Sequence, residues 1–391
     1  MKRSDVELLL TSEALALLDS LPPYSPRDNV VQSVGRLRDR GVSEDMTRVV
    51  LRQRRLRAQA VSKFGDFAAR MFFTDAGLQQ ATRLSVAAHH AARFRTLGAQ
   101  RVGDIGCGIG GDALALSGLG VVVTAIDRDE ATAALAAFNL APIDSARAEC
   151  AEAESVDLSR FDALWFDPAR RTESTTRLDP SDWSPSLDWV FDVAARIPSG
   201  IKLSPAIPHD LLPDDVEAQW VDDRGDTVEC VVWTGALARP GIARSALVLG
   251  DSPAELTAEF PDAELEVGDV DEFVYDPSGA VIRAQLLGAL ADRLGAHGIA
   301  ENIAYLSAPA FTVTPFAQGF RVIDRLPLDL RTIATYCRDN GIGTLEIKKR
   351  GVDIDPAQFR TKLKLSGKKS ATLILTRVGD GRVALVCERV R

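Results

Sequence analysis

A glycine-rich stretch over residues 102–112 is the feature that most constrains what this chain can fold into. It contains five glycines within nine residues, between an apolar strand pattern and an apolar helical pattern. Glycine is needed where the φ angle turns positive and where the backbone comes close to a ligand. The N-terminus of a following helix offers unpaired N–H groups and a partial positive charge to an anion. The stretch therefore predicts half of a nucleotide-binding βαβ unit.

Strand and helix patterns alternate around this stretch, as is typical of a parallel sheet with helices on its faces. The predicted strands are 101–105, 121–126, 143–149, 161–166 and 201–205, and the predicted helices are 111–118, 129–139 and 187–197. Two more strands are predicted at 217–222 and 227–234, and the Arg-Gly-Asp turn between them indicates a hairpin. The sheet is therefore expected to end in an antiparallel pair.

Three acidic residues follow predicted strands. Asp127 closes the second strand about 20 residues after the glycine loop, where a carboxylate can accept both ribose hydroxyls of a cofactor; alternatively it caps the helix at 129. Glu149 ends the third strand and could contact an adenine ring. Asp167-Pro168 follows the fourth strand, in the crevice where open α/β sheets bind ligands, although Asp-Pro is also a common turn dipeptide.

The residues before the glycine-rich stretch are predicted to be helical over 1–62. The last of these helices carries a run of arginines, which either contacts phosphates or forms a solvated helix face: Arg48, Arg52, Arg54, Arg55 and Arg57. Met71-Phe72-Phe73-Thr74 lies just upstream of the glycine loop. It is either part of the hydrophobic core or a segment that closes over a ligand.

Together these residues resemble a class I S-adenosylmethionine-dependent methyltransferase over residues 63–235. Residues 104–110 match the first motif of that family, Asp127 its ribose-binding acid, Glu149 its adenine-side acid, and Asp167-Pro168 its catalytic-loop motif. A narrower likeness is to a bacterial group that joins this catalytic domain to a C-terminal THUMP-like domain, and a more remote one is to trimethylguanosine synthase. The resemblance implies an α/β fold with a Rossmann-like sheet of seven strands, the last of them reversed.

The resemblance also implies S-adenosylmethionine as the cofactor. It assigns the cofactor contacts to the glycine loop, the strand ends and the upstream segment: Asp104, Gly106, Gly108, Gly110, Asp112, Asp127, Glu149 and Thr74. The catalytic loop is assigned to Asp167, Pro168 and Arg170. N-methylating members carry Asn/Asp-Pro-Pro-aromatic there, and this chain departs from that pattern at Ala169 and Arg170. Because positioning can supply much of the barrier reduction in methyl transfer, Asp167 is expected to orient the nucleophile rather than to act as a strong base.

The remaining candidates are substrate-binding residues. They are aromatic side chains that could stack on a base and basic side chains that could face phosphates: Phe72, Phe73, Trp165, Arg171, Lys348, Lys349 and Arg350.

Charge is distributed unevenly along the chain. Residues 341–391 contain 12 Lys and Arg against 5 Asp and Glu, a net charge of +7, whereas the first 340 residues carry −16. A basic module on an acidic body is the charge layout of a nucleic-acid-binding appendage; a solvated lysine-rich surface is the alternative. Residues 319–391 also show a strand, helix, strand, helix, strand, strand order and look like the THUMP-like domain. By analogy with THUMP, that likeness implies binding of structured RNA.

The spacing of the cysteines and histidines argues against two classes of protein, those with a disulfide framework and those with a metal site. Five cysteines are scattered without a CxxC pair, and four histidines lack HxxxH spacing, so neither a disulfide framework nor a metal site is expected. There is no apolar run near the roughly 18 residues of a transmembrane span, and no signal peptide. We therefore expect a cytoplasmic protein with no membrane or metal partner, and the oligomeric state is left open.

Four segments are expected along the chain. They are an N-terminal helical region (1–62), a methyltransferase domain (63–236), a connecting region (237–318) with one helix at 280–294, and a basic THUMP-like α+β domain (319–391). The predicted function is methylation of a base nitrogen in structured RNA, rRNA or tRNA. Two alternatives stay open: a small-molecule methyltransferase whose tail is an oligomerisation module, and a catalytically degenerate RNA-binding protein.

Overall fold

The structure, a computed structural model, describes residues 2–170, 180–260 and 265–390. They form two compact units. The first contains the chain up to Leu203 together with Pro208–Val216 and Val232–Ala238, and the second contains Ser204–Ile207, Glu217–Val231 and the chain from Arg239 onward. The four-segment division expected above stays a prediction.

Six helices precede the first strand: α1 (Arg3–Leu9), α2 (Ser12–Ser20), α3 (Val30–Asp39), α4 (Glu44–Phe64), α5 (Asp75–Gln80) and α6 (Leu84–Leu97). Thr11, Asn29 and Ser43 cap α2, α3 and α4 by accepting a backbone N–H, as short polar side chains do at helix N-termini. The predicted helical character of this region is therefore confirmed.

The arginine run of α4 makes its contacts inside the first unit. Four of the arginines form ion pairs and the fifth donates to a backbone carbonyl: Arg48 with Asp5, Arg54 with Asp28, Arg52 and Arg55 with Asp75, and Arg57 with the Met71 carbonyl. Four of these charges are compensated within the protein and the Arg57 guanidinium donates to a carbonyl, so the structure does not support the alternative in which the run contacts phosphates.

A parallel sheet forms the centre of the first unit. Its elements, with two short strands after the fourth, are β1 (Arg101–Ile105), α7 (Gly111–Gly118), β2 (Val122–Asp127), α8 (Glu130–Leu140), β3 (Ala146–Cys150), β4 (Ala163–Phe166), β5 (Ala169–Arg170), β6 (Trp183–Ser184), α9 (Leu187–Ala194) and β7 (Ser199–Leu203). β1 pairs in parallel with β2 and β4, β2 with β3, and β4 with β7. This order places the carboxyl ends of β1, β2 and β4 at one edge, where α/β sheets bind ligands.

The predicted hairpin is formed by β8 (Glu217–Asp223) and β9 (Asp226–Trp233). Arg224 and Gly225 turn the chain with φ angles of 58° and 91°, as a two-residue turn of this kind requires. β10 (Arg244–Leu249) pairs in parallel with β8, and β11 (Ala254–Ala258) pairs antiparallel with β10. The α/β class is confirmed, but the hydrogen-bonded sheet has nine strands rather than the expected seven, because β10 and β11 extend it.

The second unit contains a further sheet of seven strands, in the order β13-β14-β12-β15-β18-β17-β16. Its elements are β12 (Phe273–Pro277), α10 (Gly279–Arg283), α11 (Leu287–Leu294), β13 (His297–Gly298), β14 (Leu306–Ala308), β15 (Ala317–Pro327), α12 (Leu330–Asp339), β16 (Ile342–Lys349), α13 (Pro356–Leu363), β17 (Lys369–Val378) and β18 (Gly381–Val390). The element order expected for residues 319–391 is confirmed. The single helix expected at 280–294 is wrong, since Gln285 has φ = 57° and separates two helices.

Among the described residues, no helix combines the length and the apolar character that a membrane span needs. Within residues 2–170, 180–260 and 265–390, no group of three or more His, Cys, Asp or Glu side chains could hold a metal ion. All five cysteines are free thiols.

Candidate active site

The loop after β1 has a backbone geometry that favours glycine. Gly106 and Gly110 have φ = 83° and Gly108 has φ = 55°, all in the left-handed region. A Cβ on Gly106 would lie 2.7 Å from the carbonyl oxygen of Asp167, so this glycine also permits two backbones to approach closely. A Cβ on Gly108 would meet nothing within 4 Å, so the loop borders open space there.

Asp104 lies near the end of β1 and is 1% exposed. Neither carboxylate oxygen has a hydrogen-bond partner of ordinary geometry among the described residues. Burial raises the pKa of this carboxyl well above its ordinary range, and the negative charges of Asp112 and Asp167 raise it further. A buried acceptor without a partner is costly. This side chain therefore fits a bound group that is positively charged or donates hydrogen bonds.

Asp127 ends β2 beside the glycine loop. One carboxylate oxygen accepts from the Gly108 N–H at 3.1 Å, and the other accepts from the Asp129 N–H at 2.9 Å. Burial raises the pKa of Asp127, and these two N–H donors oppose that effect. The N-cap of α8 is Asp129, whose side chain accepts from the Thr132 N–H, so the alternative role of Asp127 as a helix cap is wrong.

Glu149 lies in β3 and already has two cationic partners. Its carboxylate is 2.6 Å from the Arg160 guanidinium and 3.2 Å from that of Arg147. The hydrogen bond from Arg160 lowers the pKa of Glu149. A cofactor that contacted this acid would share it with the two arginines.

Asp167 is the first residue after β4, and its side chain is held by a lysine that the sequence did not single out. The Lys202 ammonium donates to Asp167, with 2.6 Å between Nζ and Oδ2. β4 and β7 pair in parallel with Phe166 opposite Ile201, which brings the next two residues side by side. A lysine within an apolar strand pattern was the available signal, since buried parallel strands are otherwise almost wholly apolar.

The rest of the predicted catalytic loop is only partly described. Pro168 is buried next to Asp167. The backbone of Arg170 pairs with Trp183 in the two-stranded sheet of β5 and β6. The side chain of Arg170 and the whole of Arg171 lie outside the described residues, so the roles expected of them stay predictions.

Two of the expected cofactor contacts, Asp112 and Thr74, bind other parts of the protein. Asp112, in the first turn of α7, accepts from the Thr82 hydroxyl at 2.9 Å and lies 3.2 Å from Nδ1 of His90. Burial would raise the pKa of Asp112, but the hydrogen bond with His90, the charge of Lys202 and the Thr82 hydroxyl together lower it. The Thr74 hydroxyl caps α5 by accepting from a backbone N–H at 2.8 Å.

Phe72 and Phe73 belong to the hydrophobic core, which corrects both the substrate-binding and the ligand-closing interpretations. Both rings are 0% exposed, and Phe72 stacks on Phe138 with 4.4 Å between ring centroids. Buried amides hold their backbone groups: Asn139 bonds both the N–H and the C=O of Phe72, and Gln53 does the same for Phe73. Enclosed in this way, the rings offer no face to a substrate base.

Asn139 also links the core to the glycine loop. Its amide donates to the Ile109 carbonyl at 2.9 Å, and the residue is 6% exposed. The sequence contained a signal for this role, a lone amide among the apolar positions of α8. Asn139 therefore positions the loop that the glycines make possible.

Trp165 is likewise corrected from a stacking residue to a core residue. It is 0% exposed, stacks on His90 with 4.4 Å between ring centroids, and lies 5.9 Å from the Trp233 ring. Its ring faces are occupied by protein.

Apart from Arg171, the basic residues expected to bind substrate, Lys348, Lys349 and Arg350, lie in the second unit. Lys348 and Arg350 both pair with Asp276, at 2.9 Å and 2.8 Å, and are half-buried over the rings of Phe320 and Tyr305. Their charges are compensated inside the unit, which corrects the expectation that they face phosphates. Lys349 is the one exposed member of the three.

Two curated relatives from Mycobacterium tuberculosis, strains CDC 1551 and H37Rv, are each 32% identical to this chain over 339 residues, covering 85% of it and 93% of theirs. Both are named as uncharacterised S-adenosylmethionine-dependent methyltransferases. The chain belongs to this family. Residues 317–389 of the methyltransferase match the family described as THUMP domain-like. A crystal structure named as a methyltransferase from Porphyromonas gingivalis W83 has a TM-score of 0.77 and 18% identity, covering 100% of this chain and 99% of its own, and it shows the same fold.

The residues at this edge of the sheet fit the cofactor of the family. S-adenosylmethionine supplies an electrophilic methyl group on a positively charged sulfur. Asp104 offers a buried carboxylate that lacks a partner among the described residues, and Asp127 offers a second carboxylate at the loop. The space beside Gly108 is free of protein atoms within 4 Å of a Cβ position. The methyltransferase can therefore hold a cationic group at Asp104 and a hydroxyl donor at Asp127.

Proposed function

We propose that this methyltransferase modifies a base nitrogen of structured RNA, rRNA or tRNA, in the cytoplasm. One observation supports the RNA part: the THUMP-like module presents exposed lysines that no described residue of the protein pairs with. Lys362, Lys364, Lys368 and Lys369 are exposed and form no salt bridge with a described residue. Cations of this kind neutralise phosphates, and phosphate contacts supply most of the sequence-independent affinity for nucleic acids.

In this proposal the first unit carries out the chemistry. Asp104 pairs with the amino group of the cofactor, Asp127 accepts its ribose hydroxyls, and the glycines at 106, 108 and 110 let the backbone approach it. Asp112, Thr74 and Glu149 support this site through the contacts described above. Asp167 orients the nucleophile, with Pro168 and Arg170 completing the catalytic loop.

Calorimetry tests the cofactor part of the proposal. S-adenosylmethionine titrated into the full chain should bind the wild type, and Asp104→Ala should weaken binding at least about tenfold, as expected for the loss of a hydrogen bond to a charged group. Absence of binding by the wild type would contradict these residue assignments.

Mass spectrometry of nucleosides tests the RNA part. RNA from a strain lacking the gene should have lost one methylated nucleoside that its parent contains, and adding purified protein with S-adenosylmethionine should restore it. If the cofactor binds but no RNA modification differs, a small-molecule acceptor or a catalytically inactive RNA-binding role becomes the better proposal.

A further inference from the structure

An ion pair joins the ammonium of Lys202 to the carboxylate of Asp167. It lies in β7, next to β4, and the parallel register that sets Phe166 opposite Ile201 places Lys202 beside Asp167. The Lys202 side chain is 13% exposed and that of Asp167 is 31% exposed. The pair therefore sits where solvent screens charges only weakly, and its separation of 2.6 Å is that of a charge-assisted hydrogen bond.

The Lys202 charge also acts on other carboxylates near the carboxyl end of β1. The Lys202 charge opposes the burial that raises the pKa of Asp104 and helps to lower the pKa of Asp112. The side chain also donates to the Gln80 carbonyl at 3.5 Å. Burial is the largest cause that lowers the pKa of Lys63 to about 8, and the charges of Lys202 and Arg83 add to it. The Lys202 charge thus acts on three carboxylates, those of Asp104, Asp112 and Asp167.

We infer that Lys202 is a positioning residue, which holds Asp167 as an oriented and ionised carboxylate, and that the methyl acceptor is therefore a nitrogen bearing at least one hydrogen. The inference rests on the proposed function. An ionised carboxylate only accepts hydrogen bonds. An amino or amide N–H can donate to such a group. A ring nitrogen without hydrogen would instead turn its own lone pair towards the carboxylate and be repelled.

The pairing of Lys202 with Asp167 also favours the transfer of the methyl group. The lone pair of the acceptor nitrogen forms the new N–C bond, while the electron pair of the breaking C–S bond stays on sulfur, which becomes a neutral thioether. The nitrogen gains positive charge, and its surplus proton then passes to water. A carboxylate fixed beside that nitrogen stabilises the growing charge without having to reorient.

A thermal-unfolding cycle on the full chain without cofactor tests the pair independently of any substrate. Asp167→Asn, Lys202→Gln and the double variant should each change the Tm, and the double variant should change it by less than the sum of the single variants, because each single change leaves one group without its partner. Strictly additive shifts would overturn the role of Lys202 while leaving the proposed function in place.

Kinetics then test whether Lys202 positions Asp167 for the reaction. The probe is RNA from the deletion strain with isotope-labelled S-adenosylmethionine. Lys202→Gln should lower kcat at least about tenfold and leave the Kd for S-adenosylmethionine within about threefold of the wild type. Lys202→Arg should recover most of the loss. The matched control is Arg101→Gln, which removes an exposed ion pair with Asp162 at the opposite end of β1 and should leave kcat unchanged.

The outcomes separate the two proposals. An unchanged kcat in Lys202→Gln, or a methylated product whose acceptor nitrogen carried no hydrogen, would overturn this inference while RNA methylation stands. Absence of transfer to RNA by the wild type would overturn the proposed function, and the assignment of the acceptor with it.

Discussion

At the scale of single residues, the most informative group in the site is the one that stabilises the unbound protein least. Asp104 is enclosed and lacks a hydrogen-bond partner of ordinary geometry among the described residues. Its pKa is raised by burial, although the Lys202 charge and the Ala113 N–H oppose that rise. Folding gains nothing from such a group, since a buried acceptor without a partner loses its hydration. Its presence is explained when a cationic ligand completes the site.

Replacing Asp104 with Asn should therefore stabilise the unbound protein and impair cofactor binding. Between the ordinary pKa of Asp and the raised value, the unfolded chain has released the proton that the folded chain keeps. The free energy of unfolding of the wild type consequently falls as pH rises through that window. At pH 7, Asp104→Asn should be more stable than the wild type by about 1 kcal/mol or more. Urea unfolding from pH 4 to 8 should show this gain shrinking towards pH 4.

Asp162→Asn is the matched control for that measurement. The backbone N–H of Arg101 lowers the pKa of Asp162, so its ionised form stabilises the fold. The control should lose stability at pH 7 and keep its affinity for S-adenosylmethionine. If the free energy of unfolding at pH 7 is larger for the wild type than for Asp104→Asn, Asp104 has a stabilising partner of its own.

Gly106 offers a second residue-scale prediction, because it combines a positive φ with a close backbone contact. Gly120 has a similar φ of 86°, but a Cβ there would meet nothing within 4 Å. Gly120→Ala should lose about 1–2 kcal/mol from the left-handed backbone alone. Gly106→Ala should lose more, measured by urea unfolding, and should also weaken cofactor binding because the added Cβ pushes against the Asp167 backbone. Equal losses would mean that the loop relaxes around the methyl group.

The sequence predicted the residues whose position follows from a single strand or loop. Asp104, Asp127 and Asp167 each stand at a strand end, and the structure places all three at the carboxyl edge of the sheet. Lys202 and Asn139 were missed, because their roles depend on partners in other elements. Strand register brings Lys202 to Asp167, and helix packing brings Asn139 to Ile109.

At the scale of secondary-structure elements, the segment between α4 and α6 is fixed by side chains rather than free to close over a ligand. Lys63, at the C-terminal end of α4, donates to three carbonyls around the end of α5: Leu78 at 2.9 Å, Gln79 at 2.8 Å and Ala81 at 2.7 Å. These are carbonyls that the end of a helix leaves unsatisfied. α5 also packs on the glycine loop, since a Cβ on Gly77 would lie 2.7 Å from the Ile109 side chain.

Lys63→Met should therefore loosen α5 and the loop together. Removing one donor that satisfies several half-buried carbonyls should cost about 1–3 kcal/mol, measured by urea unfolding. Hydrogen exchange should rise at residues 77–82 and, to a smaller extent, at 106–110. The exposed Lys362→Met serves as the control and should change neither quantity. Faster exchange at 77–82 with none at 106–110 would show that α5 and the loop move independently.

Strands and helices were predicted well where the hydrophobic pattern lies within the element itself. The strand at 101–105 and the helix at 111–118 have the predicted bounds. The strand count was wrong because β10 joins the sheet by pairing with β8, and β11 joins it by pairing with β10. No pattern within the sequences of β10 and β11 reveals these pairings. The helix expected at 280–294 failed at Gln285, whose positive φ is unusual for a residue other than glycine.

At the scale of the whole molecule, the charge asymmetry located the basic module but not its binding residues. Lys348 and Arg350 belong to the basic run 348–350, yet both pair with Asp276, which lies 72 and 74 residues away in the sequence. The exposed lysines without an ion pair to a described residue lie instead in the last turn of α13, at the first residue of β17 and in the loop between them. That loop is tightly placed, because a Cβ on Gly367 would overlap the Gly341 carbonyl.

In the proposed function, the exposed lysines between the last turn of α13 and the start of β17 form the phosphate-binding surface. Changing Lys362, Lys364, Lys368 and Lys369 to Gln should weaken binding of total tRNA, measured by fluorescence anisotropy, and leave the Kd for S-adenosylmethionine unchanged. The slope of log K against log salt should fall by about one for each lysine that contacts a phosphate. The matched control makes the same change of net charge in the first unit, at exposed arginines in and around α3: Arg27, Arg36, Arg38 and Arg40. If the control weakens tRNA binding equally, net charge rather than the module determines affinity, whereas a loss confined to the lysine variant assigns RNA recognition to the THUMP-like domain.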